Sequence, residues 1–195
     1  MEKQVELFIQ NLEKRFLKYD ISEITEDCIR YDYFASLSTF VDTSDIVLEY
    51  PLLINKKSKI DCVIRYPNNI LTVNEFKFFR SIPSGKNIPQ TQFIGQIFKD
   101  IYKLKSFKDA NIRKIIVVTN EIMTRYMDNQ FSLFNNMEKS ELDIKISSDT
   151  LNMQENTFQK SIKPFKNIDL ELKRILCKLV MNKNNIYVVA ILDIL

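Results

Sequence analysis

Apolar positions recur at helical spacing in some stretches and at strand spacing in others, and the two patterns alternate along the chain. Val5, Phe8, Ile9, Leu12 and Phe16 predict an amphipathic helix over 2–19. Thr25 is placed to cap a second helix from Glu26 to Phe40, with Ile29, Tyr33, Leu37 and Phe40 as its stripe. Asp45 to Ile54 reads as a strand, and Pro51 argues for a sheet edge or a bulge rather than a central position. Residues 59–66 and 70–79 read as two strands joined at Pro67-Asn68-Asn69. Pro89 opens a helix over 89–106 with Phe93, Ile97, Ile101 and Leu104 on one side. Gly95 within it costs roughly 1 kcal/mol against alanine, which implies close packing on the sheet. Residues 113–119 form a continuous apolar run that suits a buried, parallel strand. A helix from Glu121 to Asn135 and an alternating strand from Leu142 to Ser147 follow. Residues 148–166 predict no regular element. Leu172, Ile175, Leu176, Leu179 and Val180 predict a helix over 168–181, and Ile186 to Leu195 a last buried strand. With no repeat and no linker, the chain reads as a single α/β domain, 1–195. It comprises helices over 1–40, a hairpin and helix over 45–106, and strands and helices over 113–195.

Charge on the central hairpin changes this picture. Side chains alternate faces along a strand, so Glu75 and Lys77 share a face with Leu71 and Val73. Asp61 shares a face with Val63 and Arg65 on the preceding strand. If the turn centres near Asn68, Asp61 lies opposite Glu75, both being seven residues from that centre. Two carboxylates and an ammonium then meet among apolar positions. Burying such charges is costly without partners, and a divalent cation is one such partner. If the charges are instead exposed, the hairpin is an ordinary structural element with Asp61, Glu75 and Lys77 in water.

The pattern Asp61 … Glu75-Phe76-Lys77 resembles the active-site motif of the PD-(D/E)XK nuclease superfamily, the restriction-endonuclease-like fold. Ile60 stands where the motif's name has proline. The resemblance implies an α-β-β-β-α-β core in a three-layer sandwich, a mixed central sheet flanked by helices. It implies a Mg²⁺-dependent DNA endonuclease of a restriction, defence or mobile-element system, with Mn²⁺ able to substitute. Asp61 and Glu75 would bind the metal, joined by Glu26 from the preceding helix, and Lys77 would act on the attacking water. A glutamine of the following helix, Gln96 or Gln92, resembles the family's further active-site residue. Duplex cleavage by a type II enzyme would make the protein a homodimer. A non-catalytic nucleic-acid-binding or protein-interaction subunit on the same fold is the alternative. A second Glu-x-Lys, Glu171-Leu172-Lys173, falls in the helix expected over 168–181, where the two side chains would splay apart.

Composition narrows the chemistry further. The 195 residues are 45% hydrophobic and 27% charged, as in an ordinary globular domain. Net charge is only +3, so any nucleic-acid contact, to DNA or RNA, rests on local clusters rather than overall charge. Lys99 and Lys103 on the helix after the hairpin, and Arg80 and Lys86 in the loop between them, are the candidate phosphate contacts. There is no histidine, which removes His general bases and His-bound metals. Two glycines, Gly85 and Gly95, are too few for a P-loop or a dinucleotide fingerprint. Cys28, Cys62 and Cys177 are widely spaced and odd in number, which suits a reducing, cytoplasmic setting. The N-terminus reads as a helix start rather than a signal peptide, and no apolar run is long enough to span a membrane.

Overall fold

The computed structural model describes residues 2–52, 58–80, 88–139, 141–152, 158, 160, 168–183 and 185–195. Two helices open the chain, α1 (Glu2–Lys18) and α2 (Glu26–Leu37). A meander follows, β1 (Ile46–Pro51), β2 (Lys59–Arg65) and β3 (Leu71–Phe79). Helix α3 (Gln90–Ser106) then leads to β4 (Ile112–Asn120) and α4 (Glu121–Phe131). The remainder is β5 (Leu142–Ile146), the short α5 (Ser148–Asn152), β6 (Leu170–Asn182) and β7 (Asn185–Ile194). The seven strands make one sheet in the order β1-β2-β3-β4-β7-β6-β5. Only β3 and β4 run parallel, joined by the α3 crossover; every other neighbouring pair is antiparallel. The sheet is therefore mixed, and β1, with its Pro51, is an edge strand.

Apolar alternation divides the sheet between two cores. Phe76, Phe78, Ile116, Val118, Val189 and Ile191 pack under Phe8, Leu12, Phe16, Ile29, Tyr33 and Leu37 of α1 and α2. Val73, Phe79, Ile115, Val117, Val188 and Ala190 pack under residues of α3 and α4 on the opposite face. Helices thus cover both faces, giving a three-layer α/β sandwich. Polar contacts lock the first layer in place. Arg15 Nε and Nη2 each donate to the Asp32 carboxylate at 2.6 Å, joining α1 to α2. Asn182 Nδ2 donates to Phe16 O at 2.7 Å and Tyr19 O at 3.0 Å, satisfying carbonyls at the end of α1. The stripe expected to run on to Phe40 stops at Leu37, and Phe40 is exposed. Helix α4 ends at Phe131, before the expected Asn135, because Ser132 takes a left-handed conformation with φ 55°. Cys28, Cys62 and Cys177 are free thiols. No helix among the described residues is long and apolar enough to cross a membrane.

The helix expected over 168–181 is instead the thirteen-residue strand β6. A register shift between Arg174 and Leu176 explains the error. Before it, Leu170 and Leu172 face the α3–α4 core; after it, Leu176 and Val180 face the α1–α2 core and Cys177 the other. A bulge in a strand moves the apolar positions from one parity to the next. The resulting spacing at 172, 175, 176, 179 and 180 imitates a helical stripe. Glu171-Leu172-Lys173 therefore does lie on a strand, so secondary structure does not separate it from Glu75-Phe76-Lys77. Its partners do: Glu171 pairs with Lys145 at 3.2 Å and Lys173 with Glu141 at 2.8 Å, at the sheet surface.

At the same bulge Arg174 is fully buried. Its Nη1 donates to Leu133 O at 3.1 Å, and its Nη2 to Asn136 O and Lys139 O at 2.8 Å each. One guanidinium thereby satisfies three carbonyls of the segment after α4. Replacing it with alanine empties all three, but Asn136 and Lys139 are exposed and water can reach their carbonyls, so the penalty of about 1–3 kcal/mol falls on the buried Leu133 carbonyl. Arg174→Ala should lower stability in urea unfolding by about 1–3 kcal/mol and speed amide exchange over residues 132–139. A loss below about 1 kcal/mol would show that the guanidinium does not hold this segment.

Candidate functional site

The site begins where two strands part. Strand β3 pairs with β2 only from Leu71 to Asn74, while β4 follows it to Phe79. Past Asn74 the β2-side edge of β3 still presents the amides of Phe76 and Phe78. Asp61 Oδ2 accepts the Phe76 N–H at 2.9 Å, and Glu26 Oε2 accepts the Phe78 N–H at 3.1 Å. Two carboxylates thus stand in for a missing strand, in charge-assisted hydrogen bonds. The register Cys62↔Asn74 and Val63↔Val73 carries Asp61 opposite Glu75, as the hairpin count predicts. Glu26 reaches this edge because α2 starts there: it occupies the first turn after Thr25, which takes the cap position without a side-chain hydrogen bond.

Glu75 and Lys77 point to the other face, toward α3. Glu75 is 1% exposed. Lys103 Nζ of α3 lies 2.5 Å from Glu75 Oε1 and 3.0 Å from Asp100 Oδ1, and it donates to Lys59 O at 2.9 Å. Lys77 Nζ lies 2.8 Å from Asp100 Oδ2 and 3.7 Å from Glu26 Oε1, and it donates to Phe76 O at 2.8 Å. On the β1 side, Arg30 of α2 contacts Glu49 at 2.5 Å, Asp27 at 2.5 Å and Asp61 at 3.5 Å. Glu49 stands across from Asp61, between the pairs Leu48↔Cys62 and Tyr50↔Ile60. Its φ of 53° is left-handed, at a cost of about 1–2 kcal/mol for a residue with a Cβ. The reading in which the hairpin charges simply face water does not survive this burial.

The electrostatics follow from the placement. Burial, then the nearby carboxylates of Asp100 and Asp61, push the Glu75 carboxyl up to about 8, against the pull of Lys103. Burial also raises Glu26, opposed by Lys77 and by the Phe78 amide. Burial would lower Lys77, but Asp100 and Glu26 outweigh it and hold the ammonium above its ordinary value. Lys103 is held up the same way by Asp100 and Glu75. For Glu49, Arg30 and Lys59 overcome partial burial and lower the carboxyl.

Of the residues expected from sequence, the structure brings Asp61, Glu75, Lys77 and Glu26 together. Gln96 is half-buried one turn before Asp100 on the same side of α3, but Asp100 is the residue that touches Lys77. Asp100 was not legible as a site residue. Its signal was the spacing Gln96, Asp100, Lys103, which puts three polar side chains on one margin of an otherwise apolar face. Gln92 is exposed. Lys103, expected on phosphate, is turned inward onto Glu75 and Asp100. Arg80, expected on the same ligand, donates to Ser22 O at 3.0 Å and Ile24 O at 3.1 Å, tying β3 to the segment before α2. Lys99 is exposed on α3, and Lys86 lies outside the described residues.

The donor set suits a hard divalent cation. It is all carboxylate: among the described residues Glu26, Asp61, Glu75 and Asp100 adjoin the ammonium groups of Lys77 and Lys103 and the guanidinium of Arg30. Among the described residues, however, no three carboxylate or cysteine side chains are already gathered as a metal-ligating group. Lys103 occupies the position against Glu75 that a cation would take. No family model, curated protein or solved structure matches the chain.

The pH response of Glu75 follows from its burial. The unfolded chain releases this proton near the ordinary value of 4.5, whereas the folded chain keeps it to about 8. The stability that this proton contributes is full below 4.5 and lost as pH rises through about 8. Wild-type stability should fall across that window by an amount on the order of a few kcal/mol, and Glu75→Gln should lack that fall. Urea midpoints at pH 5, 7 and 9 measure it; parallel profiles for the two proteins would refute the assignment.

Proposed function

We propose that the protein is a metal-dependent DNA endonuclease of the PD-(D/E)XK type, using Mg²⁺ with Mn²⁺ as a substitute. The observation that carries this reading is the meeting of Asp61, Glu75 and Lys77 from adjoining strands, with Glu26 beside them, where β2 leaves β3. The α-β-β-β-α-β order, with β3 and β4 parallel across α3, supports it further. Asp61 and Glu75, with Glu26, would hold the cation. When bound, it would supply Lewis-acid polarisation of the scissile phosphate and a water of lowered pKa.

The chain's own residues do the rest. Asp100 and Glu26 keep Lys77 protonated, so its ammonium donates to the attacking water or to charge developing on the phosphate. Asp61 and Glu26 are fixed by the β3 amides, which sets their second oxygens, now beside Arg30 and Lys77, before substrate arrives. Arg30 balances Asp61, Glu49 and Asp27 at the rim. Metal entry requires Lys103 to move off Glu75, and Asp100 can keep that ammonium. Two such sites in a homodimer would cut both strands of a duplex. Lys99, exposed beside this row, is the remaining described lysine for phosphate contact.

One observation favours the alternative of a non-catalytic binding subunit: the site carboxylates are engaged by cations of the chain itself. Metal titration separates the two readings. Under the nuclease reading Mn²⁺ binds at a saturable site that Asp61→Ala removes. Supercoiled plasmid and single-stranded DNA should be cut with Mg²⁺ or Mn²⁺, and Asp61→Ala and Lys77→Ala should each slow cleavage by about 100-fold or more. Cleavage that persists in both variants would end the enzyme reading. DNA retention without cutting or specific Mn²⁺ binding would favour the subunit.

A further inference from the structure

A concavity lies on the other face of the sheet, at the opposite end of β3 from the charged cluster. It has a volume of about 710 Å³, within the usual range for small-molecule sites. Its walls are apolar and aromatic, including Tyr33, Val41, Tyr66, Ile175 and Ile191. The alternation of β3 separates the two sites: Glu75 and Lys77 face α3, whereas Thr72 lies on the α1–α2 face with Phe76 and Phe78.

The polar side chains in this cavity are an amide, three hydroxyls and two lysines. Gln4, 7% exposed, and Thr72, 3% exposed, both line it. The Gln4 amide faces the Tyr33 hydroxyl, yet Gln4 Nε2 and Thr72 Oγ1 make no hydrogen bond of good geometry among the described residues. Buried polar atoms are normally satisfied, so each one left open at a cavity wall marks a place for a ligand atom. The charged residues of the lining are Lys3 and Lys114, with no carboxylate among them. Asp193 lies behind, 2.8 Å from Lys114 Nζ.

We propose that this cavity binds a small amphipathic anion, an apolar or aromatic body with a carboxylate-like acceptor head. Gln4 Nε2 and Thr72 Oγ1 donate to the head, Lys3 supplies a favourable field while Lys114 stays paired with Asp193, and the aromatic and aliphatic walls take the body. The site stands apart from the charged cluster and does not depend on the nuclease reading.

Decanoate and 1-decanol, titrated into the full chain by calorimetry below their aggregation limits, test the proposal. Decanoate should bind saturably at one site and at least about 10-fold tighter than decanol, one hydrogen-bonded head being worth about that factor. Gln4→Leu should bring decanoate down to the decanol level. Val41→Trp at the rim, or Ile175→Trp should the first fail to fold by circular dichroism, should abolish both. Absence of saturable decanoate binding would overturn the proposal. So would decanol binding as tightly as decanoate, or affinity unchanged in a folded, cavity-filling variant.

Discussion

The amides of Phe76 and Phe78 point from an edge of β3 that no strand receives among the described residues, and the carboxylates of Asp61 and Glu26 receive them. An open sheet edge inside a fold is costly unless its donors are satisfied. Satisfying them with ionisable side chains brings negative charge to a half-buried position. Lys77, Lys103 and Arg30 then gather to balance it, and Asp100 is needed in turn to hold the two lysines. The backbone divergence thus accounts for Asp61 and Glu26, and the burial of Glu75 brings in Lys103.

The arrangement is poised rather than restful. Glu75 is buried beside Asp61 and Asp100, so its proton is held far above the ordinary carboxyl range. Glu49 keeps a left-handed backbone in an edge strand. Strain and buried charge concentrate where a structure does chemistry or recognition, because neither improves stability on its own. The α1–α2 face holds the complementary case, a cavity whose open donors lie among apolar walls. The two features use opposite faces of the same strand: β3 sends Glu75 and Lys77 one way and Thr72 the other.

Much of the scaffold was legible because period-2 and period-3.6 patterns are local properties. The hairpin register was among them: a turn at Pro67–Asn69 and alternation on either side suffice to put Asp61 across from Glu75. Strand β6 was not legible, since a bulge at Arg174–Leu176 shifts parity and writes a false helical stripe. Asp100 escaped for another reason. Its role depends on which face of α3 meets Lys77, and an aspartate between two lysines reads equally well as a solvated helix face.

By itself, the sequence determined the element pattern up to β5, the exclusion of β1 from the sheet centre, and the meeting of Asp61 and Glu75 across one turn. These follow from contacts between near neighbours in the chain. Tertiary structure decided that Lys103 faces Glu75 rather than solvent, that Arg80 binds carbonyls before α2, and that β6 is a strand. The first two depend on elements far apart in sequence and brought together by burying two apolar cores, while in β6 a bulge shifts the strand's parity and hides its period.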